Sequence, residues 1–259
     1  MLIEHEQLPK LRAACDACER IAVAMSGGRD SSLAAYWAIR AWREKCELVY
    51  VDTGVEFPDV EPYVFEFGRR FDVPVRRLRG PTFFDVYGPF ETFPAPQGRS
   101  CVHELIFNQI DRYNLERGDQ FVQVAGAQRK QRQATSSTTA IMNKRIRCLA
   151  KTITVVNPLY VEDIDALRRE FLRVWHFWPG YKRGFQRTAC WCCPFQTAKQ
   201  YEALRANYPP LYEWLMHMAA TWATHDSDLE RYYRKRFALF ASTGADVCMF
   251  NSTIRIKKP

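Results

Sequence analysis

Short apolar runs and amphipathic stretches alternate along the chain. Ile21-Ala22-Val23-Ala24-Met25 is an unbroken apolar run between Arg20 and Ser26, the pattern of a strand buried on both faces. Leu48–Val51 repeats it, Phe121–Ala125 and Ile153–Val156 do so with one polar residue each, Gln123 and Thr154, and Val73-Pro74-Val75 opens a shorter one, so five strands are predicted. Helical spacing fills the intervals. Ser31–Arg43 carries Leu33, Tyr36, Trp37 and Ile39 on one side, and Asp59–Phe71 carries Val60, Tyr63, Val64 and Phe67. Cys101–Asn114 and Asp163–Trp175 also read as helices, and Leu8–Arg20 predicts one before the first strand. This alternation predicts an α/β fold with a doubly wound, mainly parallel five-stranded sheet.

Three stretches break the rhythm. Residues 80–98, rich in Pro, Gly and Phe, read as a long loop or lid, and residues 128–143 are basic and polar. Residues 178–195 form a loop dense in Gly, Arg and Cys. Beyond it, residues 197–242 are mainly helical and aromatic, with rings placed as a helical core, and a polar tail runs to Pro259. The expected organisation is a nucleotide-binding α/β domain over 1–195, cysteine loop included, with a helical extension over 196–259 packed on it.

Composition narrows the partners. The 259 residues carry a formal charge of +8, which favours nucleotides or nucleic acid, although a basic surface kept for solubility gives the same figure. No apolar run approaches the roughly 20 residues that span a bilayer, so no membrane partner is expected. Met1–Lys10 includes Glu4, His5, Glu6 and Pro9 and lacks the apolar core of a secretory signal, so a cytoplasmic location is expected. Nine cysteines without an export signal argue against a disulfide framework and for metal, cluster or redox roles where they cluster.

The most specific signal follows the first strand. In Ser26-Gly27-Gly28-Arg29-Asp30-Ser31 two glycines let the backbone turn sharply and present its N–H groups to an anion. The next helix adds its unpaired N–H groups and positive dipole end. Ser26 and Ser31 can donate to phosphate oxygens, and Asp30 can bind Mg2+ or cap the helix. An ordinary Ser/Gly turn is the plainer alternative. The lysine and spacing of Gly-x-x-x-x-Gly-Lys are absent, as is Gly-x-Gly-x-x-Gly. The segment resembles the pyrophosphate loop of the PP-loop ATP pyrophosphatase superfamily.

After the second strand comes Asp52-Thr53-Gly54-Val55-Glu56-Phe57-Pro58. Ligands in open α/β sheets bind outside the carboxyl ends of strands, so this loop should lie beside the first, its Asp reaching a ribose hydroxyl or an adenine amino group. In this order the two loops resemble those of the phosphoadenosine phosphosulfate (PAPS) reductase family. Gly126, followed by Arg129, Lys130 and Arg132, is similar to the family's Gly-x-Arg phosphate segment, with Gln128 where the arginine is expected. Asn157-Pro158-Leu159 with Asp163 resembles its Pro-Ile…Asp-Val segment. Gly184–Phe195 resembles Gly-x-x-Arg-x-x-Cys-x-x-Cys-Pro-Phe. The resemblance covers roughly residues 18–215 and implies that Ser26–Ser31, Asp52, Thr53, Gly54, Gly126, Arg129 and Arg132 hold an adenine nucleotide.

Cys190 and Cys193 have the spacing of an iron–sulfur or zinc pair, with Cys192 between them. Cys101 occupies the family's other cysteine position, where cluster-bearing members have a Cys-Cys pair and this chain has Ser100-Cys101. The resemblance therefore implies a 4Fe–4S cluster on Cys101, Cys190 and Cys193, with Cys192 as the nearest fourth ligand and Cys148 the next; zinc and free thiols are the alternatives. Cys15 and Cys18 read as buried small residues more than a redox pair, and Cys46 and Cys248 stand alone. His103 reads as a helix-surface residue. The groups Arg76, Arg77, Arg79 and Lys182, Arg183, Arg187 suit either an anion or a solvated face.

Three functions are open. The first is an ATP-dependent, adenylating and pyrophosphate-releasing sulfurtransferase with an iron–sulfur cluster, similar to the DNA-phosphorothioation branch. It implies a nucleic-acid sulfur acceptor, a sulfur or electron donor protein, and a homodimer as the candidate assembly. Asp30 and Ser31 would be its catalytic residues, with Mg2+ accompanying ATP. The second is a PAPS or adenylyl-sulfate reductase; the family's C-terminal Glu-Cys-Gly-x-His is absent and only Cys248 is available there. The third is a nucleotide- or nucleic-acid-binding module without chemistry.

Overall fold

In the computed structural model the described residues are 2–87, 100–117, 121–126, 141–146, 151–160, 162–188, 190–193 and 195–222. Helix α1 (Leu2–Ala17) leads into β1 (Arg20–Ala24), and α2 (Arg29–Trp42) returns to β2 (Cys46–Asp52). Next come α3 (Val60–Phe71), β3 (Val75–Arg79) and α4 (Phe83–Tyr87). Helix α5 (Ser100–Val102) continues through a π-helical segment, His103–Phe107, into α6 (Asn108–Glu116). Strands β4 (Phe121–Val124), β5 (Ile141–Ile146) and β6 (Lys151–Val156) precede α7 (Ile164–Val174), and α8 (Ala198–Asn207) and α9 (Pro209–Trp222) complete the described chain.

The sheet order is β3-β2-β1-β4-β6-β5. The five expected strands are present and mutually parallel. Their interiors are apolar because helices cover both faces: Ile21 and Val23 face one core with Leu33 and Trp37, while Ala22 and Val49 face a second with Tyr113 and Ile153. A sixth strand, β5, pairs antiparallel with β6 at the sheet edge, inside and just beyond the stretch expected to be irregular. Its sequence, Ile-Met-Asn-Lys-Arg-Ile, hides it, because an edge strand with polar and charged centre positions lacks the apolar run of a buried one.

Other boundaries moved for local reasons. Helix α1 begins before Leu8, carries Pro9 within it and stops at Ala17, so Arg20 already belongs to β1. The expected loop at 80–98 contains α4. Its start is a reciprocal cap, in which Asp85 Oδ2 accepts from the Thr82 amide at 2.7 Å and Thr82 Oγ1 accepts from the Asp85 amide at 3.3 Å. The rest of that loop, the basic stretch 127–140 and everything after Trp222 lie outside the described residues.

The chain runs outward from β1 to β2 and β3 on one side, then returns to β4 on the other side of β1. That reversal is a topological switch point, and it sets the loops following β1 and β4 against each other at the carboxyl edge. On the same edge an aromatic block ties the loop after β2 to the segment before the cysteines. Fully buried Trp178 packs on Phe57 with ring centroids 5.4 Å apart, and Phe185 lies 4.5 Å from Phe57. Rings of this size are the largest apolar groups available, so they fix these two segments firmly.

Candidate functional site

The loop after β1 closes on itself. Gly27 takes φ +73°, a left-handed conformation suited to glycine, and packs against Val60 of α3. Ser31 Oγ accepts from the Ser26 amide at 3.2 Å, donates to the Gly28 carbonyl at 3.1 Å and lies 3.1 Å from Ser26 Oγ. Ser31 thus braces the loop as well as offering an oxygen to a ligand. Gly28 is the N-cap of α2 and makes no side-chain cap, and the first amide of the helix, that of Arg29, donates to Tyr181 Oη. Ser32 Oγ, one residue on, is within 3.1 Å of Tyr63 Oη, which donates to the His176 carbonyl at 3.0 Å and pins the helix start to α3.

Gly126 packs against the same turn. A Cβ there would lie 2.7 Å from the carbonyl carbon of Asp30 and from the Ser31 amide nitrogen. Only glycine lets the end of β4 approach the first turn of α2 this closely.

The loop after β2 sits beside it. Asp52 is buried at the strand end, where Oδ1 accepts from the Gly54 amide at 3.1 Å and Oδ2 lies 3.2 Å from Arg79 Nε. Arg77 lies farther off, 4.0 Å from the same oxygen, and pairs with Glu61. Thr53 turns inward, its amide and hydroxyl both donating to Glu56. Burial raises the Glu56 carboxyl pKa, and the Thr53 hydroxyl partly offsets this. Gly54, at φ +82°, is pressed against Thr82.

The cysteine loop docks onto this second loop through the Trp191 amide, which donates to the Val55 carbonyl at 2.9 Å. The Cys193 amide donates to the Cys190 carbonyl at 3.0 Å, closing a turn that sets both thiols on one loop. Gln196 Nε2 donates to the carbonyls of Cys190 and Trp191, and Tyr201 Oη donates to the Cys193 carbonyl at 2.8 Å. Gln200 Nε2 holds the Arg187 carbonyl at 3.0 Å. Sequence reasoning missed these braces, since an amide or phenol in a helical stretch carries no motif. They also cross the expected domain division at 195.

Cys101, at the start of the helix after the long loop, joins this group. Burial pushes the Cys101 and Cys190 thiols up, and each is raised further by Cys193. Arg187 Nη2 donates to Cys193 Sγ at 3.6 Å. Cys192 is 2% exposed and belongs to the hydrophobic core. Among the described residues, no three His, Cys, Asp or Glu side chains converge as a single-ion metal site. Cys101, Cys190 and Cys193 lie near enough to influence one another's thiols without forming such a site.

Other sequence candidates resolve differently. Arg183 pairs with Asp59, which also accepts from Tyr208 Oη at 2.7 Å, so this arginine anchors α3 to α8. His103 is exposed on its helix. Cys15, Cys18 and Cys46 are buried together at the opposite end of the sheet, and burial pushes Cys15 and Cys46 up to about 12. Lys45 Nζ donates there to the carbonyls of Cys15, Asp16 and Cys18, closing the end of α1. Gln128, Arg129, Lys130, Arg132, Cys148 and Cys248 lie outside the described residues.

The strand order and the switch point define a doubly wound α/β fold. Among solved structures, PAPS reductase from Candida auris, in a phosphate complex, shares it with a TM-score of 0.52 and 14% identity, covering 71% of this chain and 87% of that one. By sequence the chain is similar to two Methanocaldococcus jannaschii proteins, MJ0973 and MJ0066. It is 22% identical to the first over 90% of this chain and 56% of that protein. It is 24% identical to the second over 74% of this chain and 40% of that protein. The chain therefore spans about half the length of these relatives. No family model matches it. No helix among the described residues is long and apolar enough to cross a membrane.

Proposed function

We propose that the protein is an ATP-dependent, adenylating sulfurtransferase that carries an iron–sulfur cluster on Cys101, Cys190 and Cys193. The observation that carries this reading is the intact loop Ser26–Ser31, at the start of α2 and on the same sheet edge as the cysteine loop. The glycines and the α2 amides hold the β- and γ-phosphates of Mg-ATP, with Asp30 facing the metal ion. Asp52 and Thr53, themselves held by Arg79 and Glu56, shape the adenosine side.

An acceptor oxygen attacks the α-phosphorus, the bond to the β-phosphate oxygen breaks, and pyrophosphate leaves. The loop lowers the barrier by stabilising the charge that builds on pyrophosphate. Sulfur from a donor protein then displaces AMP from the adenylated acceptor. A cluster, when bound, supplies an iron site for a sulfur ligand; the chain's own part is to set three thiols beside the nucleotide edge. The charge of +8 supports a nucleic acid as acceptor.

A reductase reading is favoured by one observation, the fold shared with a PAPS reductase at a TM-score of 0.52. Product chemistry separates the two. Anaerobically prepared protein is expected to release pyrophosphate from Mg-ATP in the presence of acceptor, and Asp30→Ala to lower that release at least about 100-fold by removing a charge-bearing metal contact. Sulfite from PAPS with a thiol donor, together with an inert ATP reaction, supports the reductase instead.

A further inference from the structure

One wall of the phosphate region comes from neither the loop nor α2. The segment Pro179–Arg183 forms a single 3-10 turn that crosses the start of α2, and five residues further on the chain reaches Thr188, two residues before Cys190. Tyr181 Oη accepts from the Arg29 amide, the first of α2, at 3.1 Å. Its ring is fixed from several sides. The Arg29 guanidinium stacks on it at 4.0 Å, Trp178 meets it edge-on at 5.5 Å, and Phe177 does so at 6.5 Å. Thr188 lies on the other glycine of the loop: a Cβ on Gly28 would come 3.1 Å from Thr188 Oγ1. Burial raises the Tyr181 pKa, and the Arg29 amide and the nearby Thr188 oppose that rise.

A phenol that accepts from the Arg29 amide has its own O–H left to donate. An anion at the start of α2 would be an acceptor within reach of this position. Thr188 brings a second hydroxyl against the loop at Gly28, beside the hydroxyls of Ser26 and Ser31.

We infer that Tyr181 and Thr188 are contact residues for the pyrophosphate moiety of a nucleoside triphosphate, forming a hydroxyl wall opposite Ser26–Ser31. The wall rests on the reading of that loop as an ATP-phosphate site. It gives the segment leading into Cys190 a direct stake in whether the phosphates are bound. It also explains why Gly28 stands where φ is −72° and glycine is not required by backbone conformation: a side chain there would push Thr188 off the loop.

Calorimetric titration of the full chain, prepared without oxygen, with magnesium pyrophosphate and separately with adenosine tests this. Tyr181→Phe is expected to weaken pyrophosphate about tenfold, as for loss of a hydrogen bond to a charged group, with adenosine affinity unchanged. Thr188→Val should weaken pyrophosphate in the same direction, and it serves as the second variant if Tyr181→Phe folds poorly. Unchanged pyrophosphate affinity in both variants overturns the inference, as does an equal loss for adenosine, which would mark a purely structural role. If the wild-type protein binds adenosine but no pyrophosphate, the reading of the loop itself falls and the wall falls with it. If the wild type binds pyrophosphate and the variants match it, the wall alone is lost.

Discussion

Gly126→Ala is expected to lower ATP-dependent pyrophosphate release at least about 100-fold while leaving the protein folded. The added methyl would stand 2.7 Å from the backbone of Asp30 and Ser31, nearer than any real Cβ approaches such atoms. Backbone cannot rotate aside as a side-chain tip can, so the end of β4 and the first turn of α2 must separate. The sheet tolerates this, because the pairing of Val23 with Val124 lies behind the contact and the rest of α2 is buried along Leu33, Trp37 and Ile39. The displaced part is the turn that carries Asp30, and a misplacement of about 1 Å at a reacting group costs on the order of 100-fold. Far-UV circular dichroism with a pyrophosphate-release assay checks both halves. Activity within a few-fold of wild type would mean that the approach of Gly126 to α2 does not position the phosphate site.

The second large effect concerns the cysteines. Anaerobically purified wild-type protein is expected to hold about four irons per chain, and Cys193→Ser to lose most of them. Cys193 is the informative choice because it lies near enough to both Cys101 and Cys190 to raise each thiol. Its amide and carbonyl, held by Cys190 and Tyr201, keep the turn whichever side chain is present. The loop should therefore stay docked through Trp191 and Val55 while the ligand set is broken. Iron and acid-labile sulfide analysis, with the visible absorption of the protein, gives the readout. A wild-type protein with one zinc and no iron would replace the cluster by a zinc site; no metal at all would leave free thiols.

Much of this was legible in the chain before any coordinates. The buried parallel strands announce themselves because both faces are apolar, so Ile21–Met25 and Leu48–Val51 need no periodicity to be found. The turn at Ser26–Ser31 is legible for a related reason: two adjacent glycines at a strand–helix junction mark a sharp turn, and Gly27 takes φ +73° there. Strand β5 was not legible, since an edge strand needs only one pairing side and can carry Asn143 and Lys144 at its centre. Nor were the partners of the site residues. Asp52 pairs with Arg79 across the β2–β3 pairing, and Tyr181 reaches Arg29 from 152 residues away, contacts set by the tertiary fold and not by local spacing. The closeness of Gly126 to Asp30 has the same origin, because it exists only once β4 is placed beside β1.

The central claim is that an intact pyrophosphate loop beside a cysteine cluster makes ATP, not a sulfonucleotide, the working nucleotide. Its most direct test is the affinity of oxygen-free, full-length protein for Mg-ATP and for PAPS, measured side by side in the same buffer. The account predicts that Mg-ATP binds at least about tenfold more tightly, because only ATP fills the β- and γ-phosphate positions at Ser26–Ser31. PAPS binding more tightly than Mg-ATP would contradict it.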